Sequence, residues 1–358
     1  MIHSDVIFQA YTSSFWQQTK YHIPTTSYNE HTMGQSLLPY IDIKIHHCLD
    51  ELNFQQIHIL PLYDHDFTNT IISKKEKTGK KFNRKRPTGE IEDNIFLLKC
   101  FPWIAYVQHY ASLVKQYFLL HNKPLPLISY SLPNEEQIKK AINLTNFVDI
   151  PKADVVIVWM VEQLQDLLPN SQWNWTWDFE WKIWIINNQT FMLLWCKFSF
   201  WWDIAWTLVK CLSEKWIKKI IYVGKLWWLK QWFMPNETLA TWNNSFVNWS
   251  LIERENPFQT IKEENLIHWK HYTSNSLLFE DKKRLQSVQN TFDFVDPEIW
   301  YMAKAAIENR IQFGYLHIIS NNLTQEFEDN LSNERNENIK TKRKILFEKI
   351  KNILQTYL

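Results

Sequence analysis

Apolar and polar positions follow two periods along this chain, and the periods alternate. In the first 150 residues, Val6 to Tyr11, Ile57 to Leu62 and Leu125 to Leu132 are short apolar runs that predict strands. Ser36 to Leu52 and Asn134 to Leu144 repeat apolar residues every three or four positions and predict helices. Pro39 moves the expected start of the first helix to its own neighbourhood. Pro151 to Asp154 marks a boundary, and the β-branched run Val155 to Val158 opens a second series. That series has further strands at Lys182 to Ile186, Thr190 to Leu194 and Ile217 to Val223. Asp203 is the expected N-cap of a helix with the stripe Ile204, Leu208, Cys211 and Leu212. A C-terminal helix over Ile339 to Leu358 sets Ile345, Ile350, Ile353 and Leu354 among lysines and should pack on the body. This alternation predicts an α/β fold with an N-terminal region, 1–150, and a second domain, 151–358.

Composition adds one anomaly. The 358 residues include 5 Gly and 20 Trp, whereas glycine alone ordinarily makes up about 7% of a chain. Sixteen of the Trp lie between Trp159 and Trp249. Several stand where the pattern asks for glycine. Trp216 separates a helix from a strand, where a left-handed residue without a Cβ is expected. Gln172 to Trp177 reads as a turn, and Asn248-Trp249-Ser250 as an Asn-Gly hairpin, once Trp is replaced by Gly. The expectation is that most of these Trp are glycine in the native protein, through a reassigned stop codon, with Trp16, Trp103 and Trp201 set apart as native. The other reading is a Trp-rich surface binder with aromatic platforms.

Charge narrows the partners. A formal net charge of +1 favours neither nucleic acid nor an acidic membrane. Lys74 to Arg86 is basic and aperiodic, and reads as a solvated loop in preference to an anion or nucleic-acid patch. The most apolar window, Ile183 to Val209, contains Asn187, Asn188, Lys197 and Asp203, unlike a membrane span. The N-terminus has no secretory pattern, so a cytoplasmic location is expected. Cys48, Cys100, Cys196 and Cys211 have no framework spacing and predict buried, reduced thiols. His46-His47-Cys48 lacks a second pair at zinc spacing and reads as ordinary packing residues, so no metal is assigned.

Three segments carry the candidate chemistry. Ser199 to Ala205 leads into the Asp203 helix; Ile220 to Leu229 runs through Gly224, Lys225, Trp227 and Trp228. Phe294 to Ala306 contains Asp296-Pro297-Glu298, and is followed by Phe313 to Asn322. With Gly at positions 227 and 228, these segments resemble the nucleoside phosphorylase superfamily of purine and uridine phosphorylases. His271-Tyr272-Thr273 and Ser276 resemble the stretch before its ribose-binding helix. The resemblance covers about residues 153 to 325 and leaves 1–150 unexplained.

The resemblance implies a mixed sheet flanked by helices, small-molecule nucleoside substrates, and inorganic phosphate as co-substrate without a cofactor. It also implies assembly into homo-oligomers. Glu298 would bind the ribose hydroxyls, and Asn321, where many relatives have Asp, would face the leaving base beside Ser320. An amide cannot protonate the base but can donate a hydrogen bond that strengthens as charge develops. Gly224 to Trp228 would form a phosphate loop, with Lys225 as a point charge where relatives often carry Ser or Thr. Lys197, before Ser199, is a second cationic candidate. Phosphorolysis of a purine nucleoside is the leading expectation. Hydrolysis of the same bond and nucleoside binding without turnover remain open beside it.

Overall fold

In a computed structural model, the chain separates into two compact units, Met1–Thr145 and Asn146–Leu358. The structure describes residues 19–357, except 21, 28, 35–36, 63–70, 73–87, 159–162, 165–166, 168–171, 175–177, 197–201, 248–249, 275–277, 279–280, 326 and 328–335. The expected strand at Val6 to Tyr11 and the basic run Lys74 to Arg86 lie outside the described residues.

In the first unit the described strands are β1 (Thr19–Lys20), β2 (Gln56–Pro61), β3 (Ile71–Ile72), β4 (Thr88–Glu92), β5 (Ile95–Cys100) and β6 (Leu127–Ser131). They form one sheet in the order β1-β6-β2-β5-β4-β3. β2 runs parallel to both β5 and β6, and the remaining pairings are antiparallel. Asp93 and Asn94 close the β4–β5 hairpin with φ of 43° and 66°, a two-residue turn with both residues left-handed. The helices are α1 (Leu37–Asp42), α2 (Cys48–Glu51), α3 (Ile104–Leu120) and α4 (Glu135–Asn143). The single helix expected over Ser36 to Leu52 is therefore divided. The backbone N–H of Cys48 donates to His46 Nδ1, which caps the second piece. α4 is as expected, and Asn134 and Gln137 complete a reciprocal capping box.

The second unit contains β7 (Val155–Val158), β8 (Phe179–Ile186), β9 (Gln189–Cys196), α5 (Asp203–Ser213), β10 (Lys219–Trp228), β11 (Leu239–Ala240) and β12 (Asn244–Val247). These are followed by β13 (Ser250–Glu253), β14 (Leu266–Ile267), β15 (His271–Thr273), α6 (Lys282–Val288), β16 (Phe294–Asp296), α7 (Ile299–Glu308), β17 (Gln312–Asn322) and α8 (Glu337–Tyr357). Its strands build an 11-stranded mixed sheet, so the expected α/β class holds. β10 is the hub. Lys219 to Tyr222 pair with β7 on one edge, and Trp227 and Trp228 pair with antiparallel β16 on that same side. β17 runs parallel along the other edge. The sheet thus forks beside Val223 to Leu226.

Two details correct the sequence reading. Asp203 is the first residue of α5, while Trp202 occupies the N-cap with no side-chain cap bond. On α8, Ile345 is exposed, and the buried face is formed by Ile339, Leu346, Phe347, Ile350, Ile353 and Leu354. Cys48, Cys100 and Cys196 are buried, Cys211 is half-buried, and all four are free thiols. No described helix is long and apolar enough to cross a membrane.

Candidate functional site

Of the segments singled out from the sequence, Ile220 to Leu229, Phe294 to Ala306 and Phe313 to Asn322 meet at the fork. Trp227 lies opposite Val295 of β16 on one side and Asn321 of β17 on the other. A register shift between Leu226 and Trp227 marks an irregularity in the β10–β17 ladder. Gly224 to Trp228 therefore belong to a strand, correcting the expected phosphate loop, because their backbone is committed to pairing with β17. Gly224 is needed for a packing reason. A Cβ there would meet His317 Nε2 at 2.7 Å and Tyr222 Cζ at 3.1 Å.

Around Glu298 the polar groups form a closed network. Glu298 is the N-cap residue of α7, immediately before its first turn. Asp296, two residues earlier, gathers donors. Its Oδ1 accepts from His271 Nε2 at 2.8 Å and Thr273 Oγ1 at 3.1 Å. Its Oδ2 accepts from the backbone N–H groups of Glu298 at 3.1 Å and Ile299 at 2.9 Å. Asp296 thereby caps α7 and ties it to β15. Thr273 Oγ1 in turn accepts the Trp300 N–H at 3.2 Å.

Burial and hydrogen bonding divide the two carboxyls. Burial pushes Glu298 well above the usual carboxylate range, and the charge of Asp296 pushes it further. Burial would raise Asp296 too, but His271 and the proton donated by Glu298 outweigh it and hold Asp296 below its ordinary value. Two adjacent buried carboxyls cannot both ionise, and the one with more donors keeps the charge. Burial also lowers His271, despite the pull of Asp296, and lowers His317 to about 3. Tyr222, wholly buried against Glu298, is raised.

The other predicted residues are less accommodating. Ser320 is fully buried and its Oγ donates to the Leu226 carbonyl at 3.3 Å. Asn321 and Lys225 are half-buried. The next residue, Asn322, closes the turn after β10 by donating to the Lys230 and Phe233 carbonyls, both at 2.9 Å. Trp227 and Trp228 are buried, and their indole N–H groups have no hydrogen-bond partner among the described residues. Trp228 stacks on Phe233 with ring centroids 4.6 Å apart. Lys197, Ser199 and Ser276 lie outside the described residues.

Asp296, Tyr222 and Arg254 had no assigned role in the sequence reading, and His271 had only its resemblance. The available signal was an acid or a histidine inside short buried strands, Phe294–Asp296 and His271–Thr273, where a charge requires partners. In the first unit, His46, His47 and Cys48 bring ligand atoms within 4.8 Å of one another. His46 Nε2 is engaged by the Ile71 carbonyl and Nδ1 by the Cys48 N–H.

No protein-family model matches the chain, and no curated protein matches it. Among solved structures, the chain is similar to the 5'-methylthioadenosine/S-adenosyl homocysteine nucleosidase of Campylobacter jejuni. The identity is 12%, over 57% of this chain and 99% of that one, with a TM-score of 0.45. It is also similar to uridine phosphorylase from Vibrio fischeri, at 8% identity over 58% of this chain and 93% of that one, TM-score 0.46. A futalosine hydrolase of Helicobacter pylori is 10% identical over 58% of this chain and 98% of that one, with a TM-score of 0.44.

Proposed function

We propose that the second unit cleaves the N-glycosidic bond of a purine nucleoside and transfers the pentosyl group to phosphate. A phosphate oxygen bonds to the anomeric carbon as the carbon–nitrogen bond breaks, and the electron pair leaves with the base. Asn321 donates a hydrogen bond to the base, and Glu298 orients the ribose hydroxyls. The observation carrying this reading is the register at the fork. Trp227 has Asn321 on one neighbouring strand and Val295, three residues before Glu298, on the other.

The reading requires room where Trp227 and Trp228 now pack, and we infer that these and most other Trp are glycine in the native protein. Three Trp support this through their backbone. Trp202 has φ 52° and ψ −125°, the first central position of a type II′ turn, which glycine fills. Trp216 and Trp232 have φ of 64° and 68° and are 75% and 82% exposed, so little packing offsets their strain. The indoles of Trp227, Trp228 and Trp242, unpaired among the described residues, support it from the packing side. Peptide mass spectrometry of the protein from its native cells tests the inference. Gly is expected at 216, 227 and 228, and Trp at those positions sinks it.

Hydrolysis is the second reading, favoured by the commitment of Gly224 to Trp228 to strand pairing instead of an anion loop. Base release from inosine, guanosine and adenosine, with and without phosphate, separates the two in a W227G/W228G chain. Phosphate-dependent release is expected. Release independent of phosphate selects hydrolysis, and binding without release overturns both.

A further inference from the structure

Behind Glu298 the hydrogen bonds run in one direction. Arg254 Nη1 donates to Ser245 Oγ at 3.1 Å. Ser245 Oγ lies 3.2 Å from His271 Nδ1, and His271 Nε2 lies 2.8 Å from Asp296 Oδ1. Asp296 takes the His271 Nε2–H, so Nδ1 is the acceptor and the Ser245 hydroxyl must donate to it. One neutral tautomer satisfies the whole chain. Arg254 also donates to the Asn243 and Trp242 carbonyls, which anchors the outer end. Ser245, His271 and Asp296 are each at most 1% exposed, so water does not compete.

We infer that His271 is a positioning residue for Glu298. By donating Nε2–H to Asp296, it keeps that carboxylate ionised and leaves the single proton of the acid pair on Glu298. The inference rests on the proposed role of Glu298 toward ribose, but its geometry does not need a substrate. Among the described residues, the groups bonded to Asp296 are donors: His271, Thr273, the backbone N–H groups of Glu298 and Ile299, and the Glu298 carboxyl. A proton on Asp296 would displace one of these donors, whereas one on Glu298 is shared with the Asp296 carboxylate while Tyr222 bonds Glu298 from the other side. The other titratable groups around the pair are Tyr222 from β10, His317 and Tyr315 from β17, Arg254 after β13, and Cys196 from β9 beside Tyr222. None supplies Asp296 with an alternative acceptor among these hydrogen bonds. At the site, Glu298 would then present the sugar with a carbonyl oxygen while its proton rests against Asp296 Oδ2 or Oδ1.

Carboxyl-carbon NMR of the full chain labelled on glutamate tests this, with the Glu298 signal assigned by its loss in Glu298→Gln. At neutral pH the native signal is expected at the protonated position. His271→Phe keeps a ring but removes the donor, and should move the signal to the ionised position as Asp296 takes the proton. Ser245→Ala removes only the outer link and should lower the pH at which Glu298 ionises. That second variant serves if His271→Phe fails to fold, as judged by near-ultraviolet circular dichroism. An ionised Glu298 in the native chain, or a Glu298 titration unmoved in the folded variants, overturns the inference. These readings contain no turnover, so failure of nucleoside cleavage alone would sink the proposed function and leave the relay standing.

Discussion

Backbone conformation at single residues separates what a side chain contributes from what its position demands. Eleven described non-glycine residues have positive φ, and seven of them are Asn or Asp, which tolerate the left-handed region through local hydrogen bonding. Three are Trp, which has no such compensation. Trp103, by contrast, has an extended φ of −121° and is 2% exposed, as an ordinary core Trp should be. The left-handed position at 216 was legible from the helix-to-strand transition around it. Trp202 was not, because Asp203 is itself a good cap residue and drew the expected helix start to itself. The conformation makes a direct prediction. Trp216→Gly should stabilise the full chain by about 1 kcal/mol through relief of left-handed strain. Trp216→Ala, which keeps a Cβ, should stay within about 0.5 kcal/mol of the parent. Urea unfolding compares them, and equal midpoints for the two variants would remove the strain argument.

At the scale of elements, runs of β-branched residues located the strands, while their lengths depended on partners. The run Ile217 to Val223 marked the start of β10, but nothing local shows that the strand continues to Trp228. That extension follows from β17, which supplies a ladder along the whole strand, and from β16, which replaces β7 at the far end. The β8–β9 hairpin was more legible, because Asn187 and Asn188 take up the turn with φ of 50° and 61°. Asp296 was hidden for a related reason. Its importance comes from joining β15, 25 and 23 residues upstream at His271 and Thr273, to the start of α7 just after it. The β10–β17 contact gives the prediction at this scale. Gly224 faces His317 across the ladder, and the 2.7 Å approach leaves no room for a methyl group. Gly224→Ala should destabilise by about 1–3 kcal/mol. His317→Ala in the same chain should recover part of that loss by vacating the clash. A neutral Gly224→Ala in urea unfolding, or no recovery in the double variant, would show that the strands adjust instead.

The two units of the whole molecule should respond differently to acid, because their buried titratable groups differ in sign. In the first unit, burial lowers His46 and His58 to about 4 and His109 to about 3. Each stays neutral in the folded state while the unfolded chain takes up a proton below about 6.5. Their stabilisation is present above that pH and is lost as the pH falls toward the folded values. Each contributes a slope of about 1.4 kcal/mol per pH unit inside its window. The second unit has His271 and His317 shifted the same way, but Glu298 is shifted upward. A raised carboxyl holds its proton in the folded state when the unfolded chain has released it. Stability from Glu298 is therefore fully present below the unfolded value of about 4.3 and lost as pH rises through the folded value. Between about 4.3 and its raised folded value, Glu298 opposes the histidines, leaving a shallower slope than three unopposed histidines produce. Urea unfolding at pH 7 and pH 5, resolved by hydrogen-exchange mass spectrometry and corrected for intrinsic exchange, should show the first unit losing more stability. Glu298→Gln removes the opposing group, so the second unit of that variant should become more acid-sensitive, approaching the first. Equal losses in the two units, with no change in Glu298→Gln, would mean that Glu298 is not protonated in the folded chain.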